Sequence, residues 1–153
     1  MTNSRKTNLR FDASSPAMTI WRSRYWRRRI VYVLRADKSI KYKNGRSRII
    51  YIGETVRGTK RPASSAAAKA WEAFGKGRGL KIRGLKKIDV HPVTFQGKQS
   101  VKLWKVLERD LLAVFKEKHG EPPHYNFHGK GFSVDDIAYF RKKRLLSVIS
   151  QLS

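Results

Sequence analysis

Two runs rich in β-branched and aromatic residues, Ile30–Ala36 (IVYVLRA) and Arg46–Ile52 (RSRIIYI), stand on either side of Asn44-Gly45. Such runs read as strands, and Asn-Gly is a strong turn dipeptide because its residues tolerate positive φ. Together they predict a long hairpin with a basic tip, Lys38–Arg48.

The chain beyond the hairpin supplies layers to pack on it. Gly53–Pro62 (GETVRGTKRP) reads as a loop, with Pro62 suited to a first helical turn. Ala63–Phe74 (ASSAAAKAWEAF) is a good helix former, and Gly75–Gly84 is a glycine- and lysine-rich connection. Lys87–Phe95 (KIDVHPVTF) looks like a third strand, placed at an edge by Pro92. Gln99–His119 is the most legible helix, with Val101, Trp104, Leu111, Leu112 and Phe115 on one face. Gly120 stops it and Pro122-Pro123 forbids resumption. After a loop at Gly129–Gly131, Ser133 with Asp136 forms a capping-box pattern that predicts a final helix to Leu152. The expected fold is α+β: a small, mainly antiparallel three-stranded sheet flanked by helices, one domain over 30–153 behind a basic arm at 1–29.

Charge restricts the partners. Thirty-five Lys and Arg against eleven Asp and Glu give +24. A globular chain so charged repels itself and implies a polyanionic partner, with nucleic acid ahead of an anionic membrane surface or a merely solvated basic face. A membrane surface would want a long basic amphipathic helix with its own apolar face, whereas the helices here look committed to a core. No run approaches the roughly 18 apolar residues of a membrane span. With no cysteine, disulfides and thiolate metal sites are excluded. In the arm, Trp21–Arg29 (WRSRYWRRR) interleaves Trp21, Tyr25 and Trp26 with five arginines, a mixture suited to phosphate contact and base stacking or, equally, to packing on the domain. An organellar transit peptide is the other reading of 1–29; otherwise a cytoplasmic location is expected.

Glu108 is the sharpest single residue. On a helical wheel it falls within the apolar stripe of Gln99–His119, where a carboxylate is costly unless it is paired or binds a metal. A salt bridge to an arginine is the alternative. Tyr32, in Ile30-Val31-Tyr32, and Tyr51, in Tyr51-Ile52-Gly53, stand in the two strands. Strand packing is the ordinary fate of such tyrosines. The triplets resemble the two half-motifs of the GIY-YIG nuclease superfamily, the first with Ile30 where the family usually has Gly, the second a full match. Downstream, Arg61 at a helix start, Glu108 in an amphipathic helix and Asn126 in Pro123-His124-Tyr125-Asn126 follow the family's order over Ile30–Asn126. Three departures accompany the match: a longer Tyr32–Tyr51 gap, which the hairpin can absorb, extra residues at His119–Pro122, and Ser65 where many members carry a His.

The resemblance implies a divalent-metal-dependent endonuclease that hydrolyses DNA phosphodiester bonds. Glu108 would hold one hard cation, Mg²⁺ or Mn²⁺, which prefers oxygen ligands and keeps several waters. Arg61 would clamp developing charge on the phosphoryl oxygens. Tyr32 and Tyr51 would orient or deprotonate the attacking water, and Asn126 would brace the site. His91, His124 and His128 are further candidates for a proton acceptor. Arg57 and Lys60 rival Arg61 or contact phosphate, and Arg46, Arg48, Lys76–Lys87 and Arg141, Lys142, Lys143 and Arg144 read as backbone contacts. A stand-alone restriction- or homing-type enzyme is expected, cutting both strands as a dimer or by two nicks. RNA is the alternative substrate, and a non-cutting nucleic-acid binder with the same fold is the alternative function.

Overall fold

Ile30–Lys41 (β1) and Arg46–Thr55 (β2) form the expected hairpin, and Ile88–Val93 (β3) pairs antiparallel along the other side of β1. The strand order is β2-β1-β3, so β3 is an edge strand, as Pro92 required. The computed structural model describes residues 10, 12–16, 29–55, 60–75, 82–97, 100–127 and 129–153, with the side chains of 60–63, 65, 66 and 101 outside that set. Most of the basic arm, Trp21–Arg28 included, lies outside the described residues, as do Arg57, residues 76–81 and His128.

Alternation along β1 builds two cores. Val31 and Val33 point to one face, where Trp104, Leu107, Leu111, Leu112 and Phe115 of the helix Val101–His119 (α2) meet Leu145 and Ile149 of the helix Lys142–Leu152 (α3). Ile30, Tyr32, Leu34 and Ala36 point to the other, against Ala73 of the helix Lys60–Ala73 (α1) and against Ile82 and Leu85. The fold is α+β, with a three-stranded antiparallel sheet between α2–α3 and α1.

Several boundaries differ from the sequence expectation. The strands run to Lys41 and from Arg46, so the basic tip Lys38–Arg48 is mostly paired strand and the turn is only Tyr42–Gly45. Gly45 has φ 83°, Tyr42 N donates to Gly45 O at 3.0 Å, and the Tyr42 ring folds back into the core. Gly53–Thr55 belong to β2, and α1 opens at Lys60, with Pro62 inside its first turn. β3 is shorter than Lys87–Phe95 and leaves Phe95 to pack on Trp104. α2 begins at Val101, because Ser100 Oγ accepts from Leu103 N at 3.2 Å and caps it. Gly120, at φ 78°, ends it with its N–H donating to Lys116 O.

The final segment departs most. Ser133 does cap, accepting from Asp135 N, but only a 3₁₀ turn follows at Val134–Asp136. The chain then runs extended at Ile137 and becomes helical again at Lys142. Ile137 and Phe140 pack against the α2 core from this irregular stretch.

Candidate functional site

Tyr32 and Gly53 are cross-strand partners, and Tyr51 stands two residues before Gly53 on the same face. The tyrosine ring centroids lie 6.0 Å apart at 41°. A Cβ built on Gly53 would sit 2.6 Å from Tyr51 Cε1 and 2.8 Å from the Tyr32 hydroxyl. The glycine is thus required by the close approach of two rings. Tyr32 is 1% exposed while Tyr51 is half-buried, so Tyr51 is the ring nearer solvent and Tyr32 backs it.

The segment after α2 seals the outer edge of β2 beside this pair. Tyr125 N donates to Ile50 O at 3.1 Å. Asn126 Oδ1 accepts from Ile52 N at 3.0 Å, and its Nδ2 donates to Ile52 O at 2.7 Å. One amide side chain thereby satisfies both polar groups of the residue between Tyr51 and Gly53. Farther along the same edge, Arg48 N donates to Ser153 O, so the strand presents no open ladder there. Burial pushes the Tyr125 phenol up to about 12, with Glu72 adding to the shift.

Two of the departures from the family pattern meet each other. Asn44 N in the long hairpin donates to His119 O, and Lys43 N donates to Glu121 Oε1 at 2.9 Å. The Tyr42 ring lies 5.7 Å from His119 and 4.2 Å from His124. The lengthened hairpin and the extra residues at His119–Pro122 therefore pack as one unit, which fixes the path into Pro123–Asn126.

α1 brings a cation that the sequence reading did not single out. Lys69 Nζ lies 5.8 Å from the Tyr51 ring centroid, 6.0 Å from Tyr125 and 4.6 Å from Phe127. It also pairs with Glu72 at 3.6 Å. Arg61 is in the first turn of α1, and Lys69 follows about two turns later. That spacing from Arg61 through Ser65 was the available signal. The side chains of Arg61 and Lys60 lie outside the described residues, as does all of Arg57. Phe127, beside Lys69, is 86% exposed.

Glu108 stands on α2 and is half-buried, not sealed in an apolar stripe as its wheel position predicted. α2 packs on the face opposite the tyrosine rings, so Glu108 and the rings belong to different layers. The fully buried carboxylate of α2 is Asp110, because α3 and the 3₁₀ turn widen the buried arc beyond the wheel stripe. Arg109 donates to Asp110 Oδ1 through Nε at 3.0 Å and Nη2 at 2.7 Å, and also reaches Asp136 O. Burial raises the Asp110 carboxyl above its ordinary range against the lowering effect of Arg109.

A second acid went unnoticed in the sequence. Glu54 pairs with Val31, which places it on the α2 face of β2, and its Oε2 is buried without a hydrogen-bond partner. An acid directly after Tyr51-Ile52-Gly53 in a strand was the signal. No group of three or more His, Asp or Glu able to hold a metal occurs among the described residues. A hard dication that keeps most of its waters needs only one or two carboxylates. Half-buried Glu108 and the unsatisfied oxygen of Glu54 could each supply one such carboxylate.

The basic residues are dispersed. Arg46 is exposed and donates to Ser39 O at 2.6 Å, whereas Arg48 is half-buried. Arg141 is the N-cap of α3, and Lys142, Lys143 and Arg144 form its first turn, with Lys142 bonded to Glu117 Oε1 at 2.7 Å. Cations there oppose the helix dipole, which favours an anionic neighbour. No helix among the described residues is long and apolar enough to cross a membrane. No model of a protein family matches the chain, and no curated protein or solved structure matches it.

Proposed function

We propose that the chain is a divalent-metal-dependent endonuclease of GIY-YIG type that hydrolyses DNA phosphodiester bonds. The supporting observation is the tyrosine pair packed on Gly53, with Asn126 holding both backbone groups of Ile52. This is an element built to fix one half-exposed phenol against a buried one. The order of strands and helices and the excess of cations over acids agree with it.

In this scheme Tyr51 orients the attacking water, and buried Tyr32 positions Tyr51. Lys69, beside the Tyr51 ring, adds positive charge for the incoming phosphate. Arg61, at the start of α1, neutralises charge on the phosphoryl oxygens. Glu108, with Glu54 as a second carboxylate, would hold Mg²⁺ or Mn²⁺, which would supply charge neutralisation at a phosphate and a more acidic water. Phe127 offers a stacking surface to a base next to the cut. Supercoiled plasmid incubated with protein and Mg²⁺ should be nicked, and EDTA should abolish nicking.

One observation favours a second reading, a nucleic-acid binder that does not cut, with RNA among its targets. Tyr32 is 1% exposed and Glu108 belongs to the opposite layer, so neither lies openly beside Tyr51. Plasmid left intact with Mg²⁺ and with Mn²⁺, under conditions where the protein binds it, selects this reading.

A further inference from the structure

A cleft of about 560 Å³ lies at the far end of the hairpin, between β1 and the chain at 82–83. Lys38, Lys41, Arg46 and Arg83 line it, with Ile40 and Ile82 at its apolar base. The cations come from two basic stretches far apart in sequence, and no acid lines the cleft. All four are exposed, and none makes a salt bridge among the described residues. The nearest acid in sequence, Asp37, is turned to Lys86 N at 3.2 Å.

The cleft is also preorganised. Arg46 Nη2 donates to Ser39 O at 2.6 Å, and Lys38 Nζ donates to Arg83 O at 3.1 Å. Each bond fixes a cationic head and uses one of its several donors, leaving the others for an acceptor. Four unpaired positive heads on one concave surface repel one another until an anion enters.

We infer that this cleft binds a phosphate of the nucleic-acid backbone away from the tyrosine pair and sets the register of the duplex on the protein. Ile82 belongs to the same core as Tyr32 and Ile50, so the cleft opens on the tyrosine face of the sheet. From Tyr32 to Lys38 along β1 is roughly 20 Å at about 3.3 Å per residue. At 3.4 Å of rise per phosphate on a strand, that is roughly six nucleotides. A membrane surface fits less well, because among the described residues the exposed large apolar ones, Trp71, Phe74, Phe127 and Tyr139, are not at the cleft. The inference rests on the nucleic-acid part of the proposed function and not on its catalytic part.

Lys41 and Arg83 carry the cleft's charge without the fixing donor bonds of Lys38 and Arg46, so Lys41→Gln/Arg83→Gln should leave the fold intact, as circular dichroism and Tm would show. Binding is measured in EDTA by anisotropy over a salt series, with a duplex of about 20 base pairs and a short hairpin duplex of about 4 base pairs, roughly 14 Å long. On the long duplex the double variant should lower the log–log salt slope by about 0.9, the one phosphate that the cleft holds. On the short duplex, which cannot span both sites, it should change the slope little. An unchanged slope on the long duplex, or an equal loss on both, overturns the cleft assignment. Competition by inorganic phosphate that weakens the variant and the wild type equally also counts against it. Nicking by wild-type protein with Mg²⁺ is scored separately. Nicking with an unaffected slope retains the nuclease and rejects the cleft; a reduced slope without nicking does the reverse.

Discussion

Asn126 occupies both backbone hydrogen-bonding groups of Ile52, accepting from its N–H at 3.0 Å and donating to its carbonyl at 2.7 Å. The amide acts as a one-residue strand on the free edge of β2. Asn126→Ala would leave two buried backbone groups unpaired, at about 1–3 kcal/mol each. A lower Tm and loss of nicking are expected together. Asn126→Asp keeps the acceptor for Ile52 N but sets an oxygen against Ile52 O, so it should be less stable than wild type despite its near-identical shape. An Asp variant as stable as wild type would show that the Nδ2 bond contributes nothing.

Gly53→Ala places a methyl 2.6 Å from Tyr51 and 2.8 Å from the Tyr32 hydroxyl. Overpacking of this kind costs about 1–3 kcal/mol. The rings must separate, so cleavage should fall more than DNA affinity measured without metal. Unchanged Tm and unchanged nicking would mean that the ring spacing is not critical.

Glu108→Gln removes one negative charge from a half-buried position on α2. If Glu108 is the metal ligand, the fold survives, metal-free DNA affinity holds or rises, and nicking with Mg²⁺ falls below detection. If Glu108 is only an ion-pair partner, Tm drops and nicking by the folded fraction persists. Nicking at the wild-type rate by a folded variant would remove Glu108 from the site.

Arg61 stands in the first turn of α1, two turns before Lys69, which borders Tyr51. Arg61→Ala should reduce cleavage by about 10²–10³, the effect of one lost transition-state donor. Arg57→Ala should mainly weaken binding. Single-turnover rates at saturating protein separate the two, and a reversed pattern would exchange their roles.

Burial lowers the pKa of both His91 and His119 from the ordinary value of 6.5. Their Nε2 atoms are buried without partners. Near and below about pH 6.5 the unfolded chain therefore binds protons that the folded chain refuses. Stability is full above that pH and declines as pH falls through it, by at most about 1.4 kcal/mol per pH unit for each histidine. The raised Asp110 carboxyl has the opposite effect in its own window, just above 3.8, where rising pH costs stability. Tm measured from about pH 7.5 to 5.5 should fall, and His119→Phe should flatten the slope. A flat wild-type profile would contradict the assigned direction.

The sequence by itself determined the hairpin, the edge placement of the third strand, and the α2 stop at Gly120. Each rests on short-range chemistry: positive φ at Gly45 and Gly120, and a missing N–H at Pro92. That Tyr32 and Tyr51 stand in adjacent strands was also legible, but the register shifts between Leu34 and Ile40 that bring Tyr32 opposite Gly53 were not. Tertiary structure alone decided what could not be local. The Ser133 cap is followed by a 3₁₀ turn and an extended stretch from which Ile137 and Phe140 reach a core built by distant residues. Glu108 is half-buried and Asp110 fully so, because neighbouring elements set how much of α2's circumference is covered, which no helical wheel contains. Lys69 beside Tyr51, Asn126 on Ile52, and the convergence of Lys38, Arg46 and Arg83 all join residues far apart in the chain. Such meetings depend on how whole elements cross in space, and sequence periodicity carries no information about that.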